Sequence, residues 1–211
     1  MGAQAVKLPP RFWVLGTGTN VGKTLVAALL TLQLDADYWK PVQTGCPPDS
    51  DTAQVQAWTN LDPKRLHPPR HLFPAPLSPD QAARLAGSRI ELTDFHLPPT
   101  PRTLVIEGAG GLLVPLNERD LLADLVAQTK LPALLVAASG LGTINHSLLT
   151  VAALASRGIP LLGVVFNGPL QPDNKKAVED FGQTRVIFEL PLLDSITPQA
   201  LAGLATPWKR T

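Results

Sequence analysis

The sequence has a single cysteine, almost no net charge and no long hydrophobic run. Cys46 alone cannot form an internal disulfide, and no cysteine–histidine pair has the spacing of a zinc site. Eighteen Lys and Arg residues against seventeen Asp and Glu give a formal net charge of +1, which provides no general attraction to nucleic acid or to an anionic membrane. A small-molecule ligand is therefore the simpler expectation.

The sequence also lacks a membrane span and a secretion signal. No apolar run reaches the roughly eighteen residues that a membrane-spanning helix needs. Residues 1–10 have neither a long apolar core nor a small-residue cleavage pattern, so we expect a cytoplasmic protein. The length of 211 residues suits one domain over residues 1–211, with residues 1–10 as a loose N-terminal extension.

Proline is abundant, and strand-like and helix-like segments alternate around it. The 22 prolines are about twice the ordinary share, and many lie in linking segments such as residues 62–79, which we expect to be irregular. Apolar strands are predicted at residues 12–15, 132–137 and 161–167, and a helix is predicted after each of the first two. This alternation favours an α/β fold with a doubly wound, mostly parallel sheet and helices on both faces.

The stretch Gly-Thr-Gly-Thr-Asn-Val-Gly-Lys-Thr, residues 16–24, lies between an apolar strand and an apolar helix. Its glycines let backbone amides approach phosphate oxygens closely, and the following helix directs its positive end at them. Lys23 would bring a full charge to the β- and γ-phosphates, and the Thr24 hydroxyl would ligate Mg²⁺. The glycine spacing differs from the common P-loop pattern. Together with the alternating strands and helices, this loop predicts a single P-loop NTPase-like domain. The alternative is a glycine-rich turn with an incidental lysine.

A lysine follows the next predicted strand. The run Asp-Tyr-Trp-Lys-Pro ends at Lys40 and Pro41, because proline cannot donate to a central ladder. The carboxyl ends of parallel strands border the ligand crevice, so Lys40 would emerge beside the phosphate loop. The alternative is an ordinary solvated lysine at a strand end.

Two acidic positions are candidate metal ligands. Asp51 precedes a short predicted helix, where Asp49, Ser50 or Asp51 could be the N-cap, but Asp51 could instead give a hard oxygen to Mg²⁺. Glu107 ends an apolar strand and is followed by Gly-Ala-Gly-Gly, a Walker-B-like arrangement. Its alternative role is to cap a turn.

Two polar features in the second half are less specific. Asn167 ends a buried strand and could bind the edge of a nucleobase or cap a turn. The predicted helix entry at residues 142–145 could hold a carboxylate on its backbone amides, or could be an ordinary capped N-terminus. Each of the two features indicates a ligand site only in combination with the phosphate loop.

Together these motifs closely resemble the dethiobiotin synthetase family. The match runs from Gly16 to about Pro191 and includes the unusual spacing of the phosphate loop. It rests on the loop at 16–24, Lys-Pro-Val at 40–42, Ser-Asp at 50–51, Val-Ile-Glu-Gly-Ala-Gly-Gly at 105–111, Leu-Gly-Thr-Ile-Asn-His at 141–146, and Asn167. The chain departs from the family at Gly18 and Asn20, where many members have acids, and at Thr44, where many have serine.

The resemblance implies an ATP- and Mg²⁺-dependent ligase of biotin biosynthesis. Its substrates would be 7,8-diaminononanoate, CO₂ and ATP, and its products dethiobiotin, ADP and phosphate. One amine becomes a carbamate, whose oxygen attacks the γ-phosphate to give a carbamic-phosphoric anhydride. The second amine then displaces phosphate and closes the ring.

The resemblance also assigns roles to residues of this chain. The catalytic residues would be Lys23, Lys40 and Thr19, and the metal ligands Thr24, Asp51 and Glu107. ATP would be bound by Asn20, Val21, Gly22, Lys23, Thr24, Leu25, Asp51, Glu107, Gly108, Ala109, Gly110, Asn167, Gly168, Pro191, Leu192 and Leu193. The diamine would be bound by Thr44 and, from a second subunit, by Gly142, Thr143 and Asn145.

A homodimer is therefore expected, because one site would draw on two chains. A nucleotide-switched partitioning or carrier ATPase of the same fold is the main alternative. Such proteins generally carry a second lysine near the start of the loop, where this chain has Thr17 and Gly18. An amidotransferase-type ligase would need a glutaminase partner or domain.

Overall fold

A computed structural model describes residues 6–48 and 50–209. The strands are β1 (Val6–Lys7), β2 (Arg11–Gly16), β3 (Asp37–Trp39), β4 (Val42–Thr44), β5 (Leu66–His67), β6 (His71–Phe73), β7 (Leu104–Glu107), β8 (Ala133–Ala138), β9 (Leu161–Asn167), β10 (Val186–Leu190) and β11 (Trp208–Lys209). The helices are α1 (Lys23–Gln33), α2 (Asp51–Thr59), α3 (Pro79–Leu85), α4 (Leu122–Thr129), α5 (Thr143–Ser156), α6 (Pro172–Gly182) and α7 (Pro198–Gly203).

Seven strands form one parallel sheet in the order β10-β9-β8-β2-β7-β3-β5. The central strand β2 is apolar at successive positions because both of its faces are covered. Phe12 and Val14 pack on one face, and Trp13 and Leu15 pack on the other. This alternation follows from the two-residue period of a strand.

Helices cover both faces of the sheet. Helices α1, α2 and α7 contribute to the core cluster that contains Phe12, while α3, α4 and α5 contribute to the cluster that contains Trp13. Helix α6 adds Val178 to a third cluster, under β8, β9 and β10. The expected single-domain, doubly wound α/β fold is therefore confirmed.

The proline-rich segment is more ordered than the sequence indicates. Within residues 62–79, β5 adds an edge strand to the main sheet, and β6 pairs with β4 in a separate two-stranded parallel sheet. The prediction of an irregular segment is wrong at these two places. Strands of two or three residues are too short to give a periodic signal.

The expected loose extension is also corrected in part. Residues 1–5 lie outside the described residues, but Val6 pairs with Trp208 in a parallel two-stranded sheet and Leu8 is buried in the first core cluster. Gln33 holds the C-terminal segment in place, because its amide nitrogen donates to the Leu201 and Leu204 carbonyls, each at 2.9 Å. Its amide oxygen accepts from Trp208 Nε1 at 2.9 Å.

Among the described residues, no helix has the length and apolarity needed to cross a membrane.

Candidate active site

The phosphate loop leaves the carboxyl end of β2 and turns into α1 at Gly22. Asn20 and Gly22 have left-handed backbone conformations, with φ of 57° and 98°. A side chain at Gly22 would also collide with Asn167, since a Cβ there would lie 2.2 Å from Asn167 Nδ2. Only glycine combines that conformation with that close approach. The turn from the loop into α1 therefore requires glycine at position 22.

Lys23 is held against the loop that precedes it. Its side chain is buried, and Nζ donates to the Gly18 carbonyl oxygen at 2.7 Å. Burial lowers the pKa of Lys23 to about 8, with Lys40 adding to the decrease and with Glu107 and Asp51 opposing it. The two carboxylates thus offset only part of the cost of burying the charged ammonium group.

Thr24, Asp51 and Glu107 meet at one point. Thr24 Oγ1 lies 2.7 Å from Asp51 Oδ1 and 2.9 Å from Glu107 Oε1. The three residues come from the starts of α1 and α2 and from the end of β7. These sequence-distant positions converge because the carboxyl ends of parallel strands share one edge of the sheet.

Lys40 completes the same cluster. Its buried ammonium group bonds to Asp51 Oδ2 and lies 3.1 Å from Glu107 Oε1. Burial alone would lower the pKa of Lys40, but the two carboxylates outweigh it and raise the pKa above its ordinary value. The alternative of a solvated lysine is therefore wrong.

Asp51 is free to face this cluster because Ser50 caps the helix. The Ala53 backbone amide donates to Ser50 Oγ at 3.1 Å, which makes Ser50 the N-cap of α2. The Asp51 backbone amide donates to Gln43 Oε1 at 3.1 Å. Burial would raise the pKa of Asp51, but Lys40, Thr24 and Gln43 together lower it, so the carboxylate stays ionised. Asp49 lies outside the described residues.

Glu107 is the most enclosed acid of the site, with no exposed surface. Besides Thr24 and Lys40, it accepts a 2.8 Å hydrogen bond from Tyr38 OH. Burial, followed by the charges of Glu107 and Asp51, raises the pKa of Tyr38 well above its usual value, so the phenol remains a donor. These contacts come from the start of α1 and from β3 with the lysine that follows it, which is more than a turn cap requires.

A cleft of about 520 Å³ opens over this cluster. It brings together many of the predicted site residues: Thr19, Asn20, Gly22, Lys23, Thr24, Leu25, Lys40, Thr44, Asp51, Glu107, Ala109 and Gly110. Sequence reasoning missed four further lining residues: Gln43, Gln54, Trp58 and Ile196. Trp58 and Ile196, with Leu25, give part of the cleft an apolar wall against the core.

Gly108 does not line this cleft. A Cβ at this position would lie 2.8 Å from Leu15 Cδ2 and 3.1 Å from Leu122 Cδ2, and the Gly108 amide donates to the Val14 carbonyl at 3.0 Å. Its small size therefore serves the packing of β7 against β2 and α4. The predicted contact of Gly108 with ATP gains no support from this position.

Asn167 connects β9 to the phosphate loop. Its Nδ2 donates to the Val21 carbonyl oxygen at 3.2 Å. The adjacent Gly168 amide donates to the Leu190 carbonyl at 3.0 Å, which places the segment after β10 beside it. In that segment Leu192 is exposed and Leu193 packs on the first core cluster. The predicted nucleoside-binding residues Asn167, Gly168, Pro191, Leu192 and Leu193 thus form one neighbourhood.

The predicted diamine residues at the start of α5 lie apart from the charged cleft. Gly142 and Asn145 are exposed, whereas Thr143 is buried with Oγ1 3.4 Å from Ser147 Oγ. None of the three lines the charged cleft around Lys40 within one chain. Thr44 does line the charged cleft.

A second cleft of about 490 Å³ lies between the phosphate loop and α5. It is mainly apolar, and Thr19 belongs to both clefts. Its lining consists of Thr17, Gly18, Thr19, Gly111, Leu112, Leu113, Val114, Pro115, His146, Leu149, Thr150 and Ala153. Leu113 and Leu149 are each more than half exposed. This pairing of a charged and an apolar cleft suits a ligand with both kinds of group.

The donor set at Thr24 fits magnesium. Mg²⁺ prefers hard oxygen ligands and is usually bound by one or two carboxylates together with water and substrate phosphates. One hydroxyl and two carboxylates meet this description. Among the described residues, no group of three His, Cys, Asp or Glu side chains could form an all-protein metal cage. The residues thus suit a metal that arrives with a phosphate ligand.

Comparison with known proteins identifies the relatives of this chain. A family model described as an AAA domain matches residues 11–200. The ATP-dependent dethiobiotin synthetase BioD of Paramagnetospirillum magneticum is 49% identical over 196 residues, which cover 92% of this chain and 94% of that protein. The biotin biosynthesis bifunctional protein BioCD of Bordetella avium is 50% identical over 194 residues, covering 92% of this chain but 42% of that longer protein.

Among solved structures, a ParA family ATPase from Chlorobium tepidum is similar, with a TM-score of 0.56 and coverage of 87% of this chain and 85% of that one. Its sequence identity is 12%, so the likeness shows the fold alone. The sequence match to BioD, in contrast, is close and extends over nearly the full length of both chains. The chain belongs to the ATP-dependent dethiobiotin synthetase family.

Proposed function

We propose that this chain converts 7,8-diaminononanoate, CO₂ and MgATP into dethiobiotin, ADP and phosphate. The observation that carries the proposal is the convergence of Lys23, Lys40, Thr24, Asp51 and Glu107 over one cleft, in a chain of this family. A site that combines two ammonium groups with two carboxylates suits transfer of a charged phosphoryl group.

ATP is needed because a carbamate is a poor acyl donor. Ring closure directly from the carbamate would expel an oxide or hydroxide, whereas phosphate departs easily. In the proposed reaction a carbamate oxygen attacks the γ-phosphorus and ADP leaves. The second amine then attacks the carbamate carbon, loses its proton, and phosphate leaves. Positioning and charge stabilisation should dominate catalysis, because the protein has little covalent work to do.

Lys23 and Lys40 would stabilise the charge that develops on the transferred phosphoryl group. Both lysines line the charged cleft, Lys23 held at the loop and Lys40 held on the two carboxylates, so a phosphate bound there could meet both ammonium groups. Thr19 lines both clefts, and its hydroxyl would contact substrate or phosphate.

Thr24, Asp51 and Glu107 would hold Mg²⁺ directly or through its water. The metal would neutralise charge on the β- and γ-phosphates. The distances from Thr24 Oγ1 to the two carboxylates support this assignment, since all three donors already face one point.

The apolar cleft would take the hydrocarbon chain of the diamine. Its leucine, valine and proline lining matches an alkyl chain, and Thr19 links it to the charged cleft. The carboxylate of the diamine would bind at the start of α5 in a second subunit, at Gly142, Thr143 and Asn145. The exposed Leu113, Leu141 and Leu149 near that helix support a homodimer, because exposed apolar patches mark interaction sites. A cytoplasmic location is part of the same proposal.

The decisive experiment incubates the purified protein with diaminononanoate, bicarbonate and MgATP and searches for dethiobiotin by mass spectrometry. Dethiobiotin and ADP should form together, and both should require the diamine and CO₂. Formation of ADP without the diamine, increased by a protein or membrane partner, would instead support the partitioning ATPase. Absence of dethiobiotin under these conditions would refute the proposal.

A further inference from the structure

Tyr38 reaches the active site from inside the core. Its side chain is fully buried, and its hydroxyl donates to Glu107 Oε2 at 2.8 Å. Within the described residues, 6–48 and 50–209, Oε2 accepts no other hydrogen bond, since Thr24 and Lys40 both contact Oε1. The comparisons and the family resemblance assign no role to Tyr38.

The two oxygens of Glu107 therefore have different surroundings. Oε1 lies 2.9 Å from Thr24 Oγ1 and 3.1 Å from Lys40 Nζ, on the side of the cleft. Oε2 is turned to the phenol. The last torsion of a glutamate is broad, so a donor held in place on one oxygen restricts the direction of the other.

The position of the phenol is itself fixed by the sheet. Strand β3 pairs with β7 so that Tyr38 lies opposite Val105 and Trp39 opposite Ile106. The ring packs in the first core cluster with Val105 and residues of α1. The hydroxyl thus has little freedom to follow Glu107, and Glu107 must instead adjust to the hydroxyl.

We propose that Tyr38 is a positioning residue of the active site, which holds Glu107 so that Oε1 alone faces Thr24 and Lys40. The inference rests on the proposed role of Glu107 at the metal. Partners of this kind typically change metal affinity by about 10- to 100-fold when they are removed. Tyr38 would therefore set the metal affinity of the nucleotide complex without contacting nucleotide or substrate.

The test uses Tyr38→Phe, which removes one hydroxyl and keeps the ring. Mg²⁺ is titrated into the protein–ADP complex by calorimetry, and ADP binding without metal is measured separately. We expect about tenfold weaker Mg²⁺ binding, with ADP binding in the absence of metal changed less than about twofold. Saturating Mg²⁺ should restore most of the turnover number.

A matched control separates positioning from stability. Trp13 is fully buried on the other face of the sheet, and its Nε1 donates to Thr129 Oγ1 at 2.9 Å. Thr129→Val removes that acceptor, so it should lower the melting temperature as Tyr38→Phe does but leave the Mg²⁺ affinity unchanged. Equal Mg²⁺ affinity in wild type, Tyr38→Phe and Thr129→Val would reduce Tyr38 to a structural residue and overturn the proposal.

A double-mutant cycle with Glu107→Gln identifies the route of the effect. If Tyr38 acts through Glu107, adding Tyr38→Phe to Glu107→Gln should change Mg²⁺ affinity by less than about twofold. A further tenfold loss in the double variant would contradict this route. Because the readout is metal binding, it is independent of dethiobiotin formation. A wild-type protein that makes no dethiobiotin but shows the Tyr38 effect would refute the proposed function alone.

Discussion

The charged cleft and the apolar cleft meet at Thr19 but differ in how complete they are within one chain. In the charged cleft Lys23, Lys40 and Glu107 are buried, and each already has a partner. The apolar cleft presents Leu113 and Leu149 largely to solvent. The edge of a single sheet is enough to bring together the charged groups that would bind a phosphate. An exposed apolar lining, in contrast, indicates a surface that is covered by another molecule. The variants below test this difference.

The largest effect is expected from Lys40→Gln. Loss of the ammonium group should lower the turnover number about 100-fold or more, because charge stabilisation of the phosphoryl group is removed. Steady-state kinetics at saturating substrates gives the measurement. The control is Lys176→Gln, which removes an exposed lysine paired with Asp180 and should leave turnover unchanged. An unchanged turnover number in Lys40→Gln would remove Lys40 from the mechanism.

In the apolar cleft, Leu149→Asp should impair diamine binding without affecting the charged cleft. If the proposed dimer forms through this surface, a charge in that lining should dissociate it. The same charge should raise the Michaelis constant for the diamine about tenfold, at a cost typical of 1–3 kcal/mol for lost apolar contact. ADP affinity should stay constant. Sedimentation measures the association state, steady-state kinetics the Michaelis constant, and calorimetry the ADP affinity. Leu85→Asp, at an exposed leucine of α3, is the matched control. Equal loss of ADP affinity would contradict independent clefts.

The charged cleft should also respond to pH through Lys23. Its pKa of about 8 means that the unliganded protein loses this proton as pH rises past 8, whereas a bound phosphate favours the charged form. ADP binding should therefore weaken by a few-fold between pH 7.5 and 9, with proton uptake. Calorimetry in two buffers of different ionisation enthalpy detects the proton.

The sign for stability is opposite to the sign for binding. The lowered pKa of Lys23 disfavours the folded state below about pH 8, and this cost disappears as pH rises toward the ordinary lysine value of 10.5. Lys23→Arg keeps its charge throughout and should flatten the binding profile. A wild-type affinity that is independent of pH over this range would show that Lys23 does not titrate there.

The smallest effect is expected from Ser50→Ala. Loss of the N-cap should lower the free energy of unfolding by about 1 kcal/mol. It should also weaken Mg²⁺ binding slightly, because α2 carries Asp51. Thr197→Ala removes the same type of capping bond from α7, which carries none of the predicted metal ligands. Denaturant unfolding and Mg²⁺ titration of both variants give the comparison, and equal Mg²⁺ affinities would contradict a specific contribution of the α2 cap.

Most of the charged cleft could be predicted from sequence because its residues belong to ordered motifs with a defined place in the sheet. Lys23 and Thr24 follow from the loop, and Glu107 from its position at a strand end. The carboxyl edge of the sheet then brings these positions together. The pairing of Lys40 with Asp51 could not be derived, because it depends on how α2 packs beside α1, and this packing leaves no local pattern.

Other features were missed, or were predicted without gaining support from the structure, for identifiable reasons. Tyr38 lies two positions before Lys40, so the two-residue period of a strand indicated a shared side, but a lone tyrosine is equally typical of a core. Gly108 resembles a phosphate-contacting glycine in sequence, while its neighbours Leu15 and Leu122 come from distant segments. The short strands β5 and β6 exist only through their pairing partners.

The pairing of β1 with β11 sets where an additional domain could be attached. Only Leu8, Pro9 and Pro10 separate β1 from β2, so this small sheet lies near the amino edge of the main sheet, opposite the carboxyl edge that carries the clefts. A fusion partner joined before Val6 or after Lys209 would meet the same pole of the molecule. Either attachment would lie on the side of the sheet away from the two clefts.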